Sequence, residues 1–146
     1  MRLTLGLLTI AAISVAAACS SSSTSTEPVD ALAVSVTSTT VSPPIAFGAS
    51  ISGAGDSVVA VITERATCER TVGAIAELTA THDIVVTVSI TSVSEPLCDP
   101  INGSTTYRAV AYGVPAGTHN ATAVLRTSYN GVASDSVVAT SAVTND

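Results

Sequence analysis

The chain has no lysine, no tryptophan and a single phenylalanine, Phe47; its other aromatic residues are Tyr107, Tyr112 and Tyr129. So few aromatics leave little with which to build the stacking platform that sugar-binding β-proteins use. Five arginines face eleven acidic residues, for a net charge of −6. A lysine-free, acidic surface repels phosphate backbones, so nucleic acid is excluded as a partner. Methionine occurs only as Met1, and no Cys-x-x-Cys pair is present. The usual close-spaced thiolate metal site is therefore missing. The longest uncharged apolar run lies at the very start of the chain, from Leu3 to Ala18.

That start has the parts of a secretory signal. Met1-Arg2 is a short basic opening, Leu3 to Ala18 is uncharged, and the small residues Ala16-Ala17-Ala18 lead directly into Cys19. The segment resembles the bacterial lipobox, with Ala16 standing where leucine is commonest. The resemblance implies that residues 1–18 are removed. It also implies that the Cys19 thiol receives a diacylglyceryl group and that its new amine is open to a further acyl chain. One chain alone holds marginally, at about 0.8 kcal/mol per buried methylene, so stable anchoring takes two or more. The run itself is shorter than the roughly 20 residues a spanning helix needs.

Residues 19–30 follow as a tether. Ser20 to Thr26 is a serine/threonine run closed by Glu27-Pro28, too polar to offset its chain entropy by burial. Ser20, rather than aspartate, follows the lipidated cysteine, and in that family this implies the outer membrane if the cell has two. The expected location is thus the bacterial cell envelope, with the membrane contacted through the N-terminal lipid. Cutting before Cys19 also removes Arg2, so the remainder is more acidic than the whole chain and would be repelled by anionic headgroups. The lipid alone must hold it.

Cys68 and Cys98 remain. An even pair in an exported protein reads as a disulfide, and closing a loop of about 30 residues stabilises by roughly 3–4 kcal/mol in the chain-entropy model. Free thiols or metal ligands are the alternative.

From Ala31 onward the pattern is strand and turn, and residues 31–146 form one domain. Asp83 to Ser92 alternates most strictly, with Ile84, Val86, Val88 and Ile90 on one face. Further strands are expected at Ala31 to Ser38, Ile45 to Ser52, Ser57 to Glu64, Thr105 to Val114, Thr118 to Thr127 and Ser134 to Thr144. Val72 to Ala80 carries helix-like spacing at Val72, Ile75, Ala76 and Leu78, but its flanking threonines favour a strand. Asn130-Gly131 predicts a two-residue type I′ hairpin, because both central residues of that turn need positive φ. Seven to eight short strands with frequent turns predict an all-β chain, a single antiparallel β-sandwich; a closed barrel is the alternative.

The stretch Tyr107-Arg108-Ala109-Val110-Ala111-Tyr112-Gly113-Val114-Pro115-Ala116-Gly117-Thr118-His119 resembles the strand, Gly-Leu-Pro-Ala-Gly, strand signature of bacterial immunoglobulin-like modules. In those a tyrosine two residues past the last glycine tucks its hydroxyl against the corner backbone. Here His119 takes that place. The resemblance implies an immunoglobulin-like sandwich of the small-lipoprotein kind and names no activity.

Catalytic patterns are thin. No Gly-x-Ser-x-Gly elbow occurs. Two histidines, His82 and His119, fall short of the ligand sets of copper–zinc superoxide dismutases and cupredoxins. Glu64, Glu69, Glu77 and Glu95 read as surface charge, and the sequons at Asn102 and Asn120 as coincidence. No catalytic residue, metal or cofactor is expected, and the binding residues stay open. The expected function is a non-catalytic, lipid-anchored envelope or surface protein with a binding or structural role. A lipid-anchored inhibitor of a secreted hydrolase is the second reading; it would act through an exposed loop between Cys98 and Thr105, led in by Asp99-Pro100. A weak third reading is an enzyme or ligand carrier built around His82 and His119.

Overall fold

A computed structural model describes residues 30–65, 70–92 and 103–146. The signal, Cys19, the tether up to residue 29, Cys68, Glu69, Glu95, Cys98, Asp99-Pro100 and Asn102 lie outside the described residues; Asp30, expected at the end of the tether, opens the first strand. What is described is strand and turn: β1 Asp30–Val41, β2 Gly48–Ala54, β3 Ser57–Arg65, β4 Arg70–Leu78, β5 Ile84–Ser92, β6 Ser104–Tyr112, β7 Gly117–Tyr129 and β8 Val132–Asn145.

The core follows from period-two alternation. Val58, Ala60 and Ile62 of β3 point inward, as do Ile84, Val86, Val88 and Ile90 of β5, and Tyr107, Ala109 and Ala111 of β6. β7 adds Ala121, Ala123 and Leu125. Each fully buried valine or isoleucine contributes about 1.5–3 kcal/mol. Alanines facing these branched side chains keep the interior narrow, so it fills with one aromatic, Tyr107. The segment with helix-like spacing is strand β4: Ala76 is buried and Ile75, the residue that made the helical pattern, is exposed on the other face.

The strands form one sheet in the order β2-β3-β6-β1-β4-β5-β7-β8. β1 joins its halves: Asp30 to Leu32 pair with β4, and Ala33 to Val41 pair with β6. The two edge strands then come together. A Cβ placed on Gly53 of β2 would lie 2.8 Å from Asn145 Oδ1 and 3.0 Å from the Thr144 carbonyl oxygen of β8. The sheet is thus nearly closed into a barrel, closer to the alternative architecture than to two plainly separate layers.

The expected purely antiparallel sheet is corrected at one pairing. β5 and β7 run parallel, Ile84 against Ala121 through Ser92 against Tyr129. The strand between them in sequence, β6, pairs with β3 and β1 in the other half of the sheet. The chain crosses over and back, so two reversals restore the direction of β5.

Turn chemistry matches the sequence closely. Asn130 and Gly131 have φ of 48° and 82°, as a type I′ hairpin requires. Gly55, in the two-residue turn between Ala54 and Ser57, has φ of 61°.

The barrel has two unlike ends. At the near end lie the start of β1 at Asp30, the β2–β3 turn, the β4–β5 turn, the β6–β7 corner and the end of β8. At the far end lie residues 42–47, the Asn130-Gly131 turn, and the strand ends Arg65, Arg70, Ser92 and Ser104.

Candidate functional site

The near end is organised by one buried side chain. His119, the first buried position of β7, is 6% exposed. Its Nδ1 lies 2.8 Å from the carbonyl oxygen of His82, and its Nε2 lies 2.9 Å from that of Pro115. The second contact reaches four residues upstream, the place where a corner tyrosine would bond. Gly113 and Gly117 on either side of the corner have φ of 73° and 133°, so the chain can fold back over the ring.

The first contact crosses to the β4–β5 turn. There the His82 amide donates to the Thr79 carbonyl at 2.9 Å, and the Thr79 amide donates to the Asp83 carbonyl at 2.9 Å. The turn ends on a left-handed residue, His82 at φ 62°, a conformation glycine usually supplies. The Asp83 carboxylate accepts from Asn120 Nδ2 at 3.1 Å and from Thr81 Oγ1 at 3.0 Å. The corner is tied a second time, by the Val114 amide donating to the Asp56 carbonyl at 2.9 Å.

The structure thus brings the two histidines together, but through a backbone group. Both His119 nitrogens are engaged by carbonyls, so neither is open to abstract a proton or ligate a metal in this arrangement. The His82 ring is exposed. Among the described residues no cluster of three or more His, Cys, Asp or Glu is poised around a metal position. Glu64 accepts a hydrogen bond from the buried Tyr107 hydroxyl at 3.2 Å, near the far end of β3. Glu77 sits near the opposite end, on β4, so the described glutamates do not form a facing pair. A shallow depression of about 300 Å³ on β7 and β8 is lined by Asn120, Thr122, Thr140 and Ser141 along with alanines, hydroxyls and an amide without a titratable group.

The far end has a different chemistry. Val41, Ile45 and Phe47 are exposed in and beside the β1–β2 connection, and Tyr129 and Val132 flank the β7–β8 turn. Phe47 is 63% and Val132 75% exposed. The sequence places Ile45 to Phe47 within a strand that follows the Pro43-Pro44 turn; in the structure β2 begins at Gly48, and these residues form the exposed connection before it. The loop expected to be most exposed, between Cys98 and Thr105, is corrected in its described part. Gly103, Ser104 and Thr105 are buried, because the 42–47 connection folds over Ser104.

No protein-family model matches the chain, and neither a curated protein nor a solved structure is similar to it.

Proposed function

We propose that the protein is a non-catalytic, lipid-anchored β-domain of the bacterial cell envelope that binds a macromolecular partner through the far end of its barrel. The observation that carries this reading is the polarity of the barrel. β1 begins at the near end, whereas the exposed Val41, Ile45, Phe47, Tyr129 and Val132 lie at the far end; Ile75 and Val137 are exposed along the strands, and Tyr112 at the near end. A lipid on Cys19 and a serine/threonine tether would therefore present the apolar end away from the bilayer. Large apolar side chains exposed at one end of a domain are candidates for an interaction site.

Charge favours the same orientation. Asp30, Asp56, Asp83 and Asp146 belong to near-end segments, and they would hold that end off anionic headgroups. A Cys68–Cys98 disulfide stays part of the proposal. The strands bounding the two cysteine-bearing connections are paired in register at the far end, Arg65 with Ser104 and Arg70 with Ser92. The immunoglobulin-like assignment draws support from the histidine corner at Pro115 and from the sharing of β1 between β4 and β6. The non-catalytic reading draws support from the engaged nitrogens of His119. Inhibition of a secreted hydrolase is the narrower form of the same proposal, with that enzyme as the partner.

The test is photo-crosslinking in intact cells, with the crosslinker placed at Phe47 or, as a control, at Thr122 on the outer face of β7. A discrete adduct from Phe47 that is lost in Val132→Ser and absent from Thr122 supports the reading. Equal labelling from both positions, or turnover of a hydrolase substrate by the purified protein, contradicts it.

A further inference from the structure

His119 sits between two backbone carbonyl oxygens, and a carbonyl oxygen only accepts. A ring nitrogen bonded to one must therefore carry a proton. Neutral imidazole has one N–H, and its other nitrogen presents a lone pair. At 2.8 Å from the His82 oxygen and 2.9 Å from the Pro115 oxygen, one of the two contacts would then set lone pair against lone pair. Only the imidazolium donates to both, and burial leaves no bulk water to replace a lost partner.

We propose that His119 is a proton-dependent clasp: as imidazolium it ties the β4–β5 turn to the β6–β7 corner, and on losing one proton it lets go of one of them. The two carbonyls belong to segments 33 residues apart in sequence, His82 and Pro115, that no described backbone hydrogen bond joins directly. The β4–β5 turn is held in a shape it would relax from, because His82 occupies a left-handed conformation as a non-glycine residue; the corner adopts positive φ only at Gly113 and Gly117, where it costs little.

The titratable groups on the elements around it are Asp83 leading into β5, Glu77 near the end of β4, Tyr112 at the end of β6, Asp56 in the β2–β3 turn, Asp30 at the start of β1, Asp146 after β8, and the exposed His82 ring. No arginine lies in those near-end turns; Arg65, Arg70, Arg108 and Arg126 are elsewhere in the barrel. Asn120, next to His119, already bridges to the Asp83 carboxylate, so the same short stretch of β7 grips the turn twice. The sign follows. The clasp is closed while the ring holds both protons and opens as pH rises and the second proton leaves.

The experiment is long-range ¹H–¹⁵N correlation on the purified protein across pH, read together with hydrogen exchange at the Thr79, His82 and Val114 amides. The expected result is two protonated His119 nitrogens in the closed form. On loss of one of these protons, exchange at these amides should accelerate by roughly five- to tenfold beyond the change at Val86 in the core. His82→Asn keeps the left-handed turn and removes the exposed imidazole, so the step should persist in it; His119→Gln should abolish the step. A single protonated nitrogen at every pH where the domain is folded overturns the proposal, whatever the variants do. So does unchanged exchange when the proton leaves.

Discussion

Ser104 holds Ile45 by both of its backbone groups. The Ile45 amide donates to Ser104 Oγ at 2.8 Å, and the hydroxyl donates back to the Ile45 carbonyl at 2.8 Å. One side chain, itself fully buried at the start of β6, thus stands in for a strand partner and fixes the connection that carries Phe47. Ser104→Ala removes both bonds at once. Water can reach the exposed Ile45, so the loss should be moderate, about 1–2 kcal/mol in urea unfolding. Near-end amides such as Val114 should keep their exchange protection. An unchanged midpoint would mean that the connection is held by something other than this hydroxyl.

The β2–β8 seam makes a sharper demand. Gly53 faces Asn145 Oδ1 and the Thr144 carbonyl so closely that a methyl group cannot enter without movement. Gly53→Ala should cost about 1–3 kcal/mol by overpacking. Asn145 is 3% exposed, and its side-chain Oδ1 and Nδ2 make no hydrogen bond with the described residues. Asn145→Ala alone should therefore cost little. In the double variant it should recover only part of the Gly53→Ala loss, because the backbone oxygen of Thr144 remains in the way. A double-mutant cycle by chemical denaturation measures that coupling; full recovery would place the whole strain on the amide.

On the outer face, Arg126 and Asp135 form a two-pronged pair across β7 and β8, Nε to Oδ1 and Nη2 to Oδ2, both at 2.7 Å. The hydrogen bond from Arg126 holds the Asp135 carboxyl below the usual carboxylate range, and the same bond raises the Arg126 guanidinium. A carboxyl with a depressed folded-state pKa gives stability that is present above its unfolded value and is lost as pH falls through the folded one. Both groups are exposed, so the effect is small and screened by salt. Asp135→Asn should lower the thermal midpoint slightly at neutral pH. The difference from wild type should shrink in acid below the ordinary aspartate range and shrink again in high salt. A difference that grows in acid would contradict the pairing.

Much of this fold was written in the local pattern. Alternation at Ile84, Val86, Val88 and Ile90 reports a buried face, and all four are buried. Asn130-Gly131 reports a hairpin because few residues tolerate positive φ, and both adopt it. Alternation does not name a strand's neighbour, however. Nothing within β5 or β7 says that they lie side by side and parallel, since that depends on where β6 goes. Closure of the sheet rests on Gly53 meeting Asn145, a contact between distant segments. His82 in a left-handed turn carried no glycine to announce it. The near-end site was half legible: the Pro115-Ala116-Gly117-Thr118-His119 stretch marked a corner, but the second carbonyl on the ring comes from a segment that only the tertiary fold brings near. The far-end apolar residues were missed because each is unremarkable alone; only the fold places them at one end.

The proposed function rests on an anchor at one end of the barrel, and mass spectrometry of the intact, membrane-extracted protein tests it most directly, before and after reduction. The account predicts a species that starts at Cys19, carries two or more acyl chains and gains about two hydrogens on reduction of Cys68–Cys98. A soluble species without acyl chains, or one that still carries residues 1–18, would contradict it.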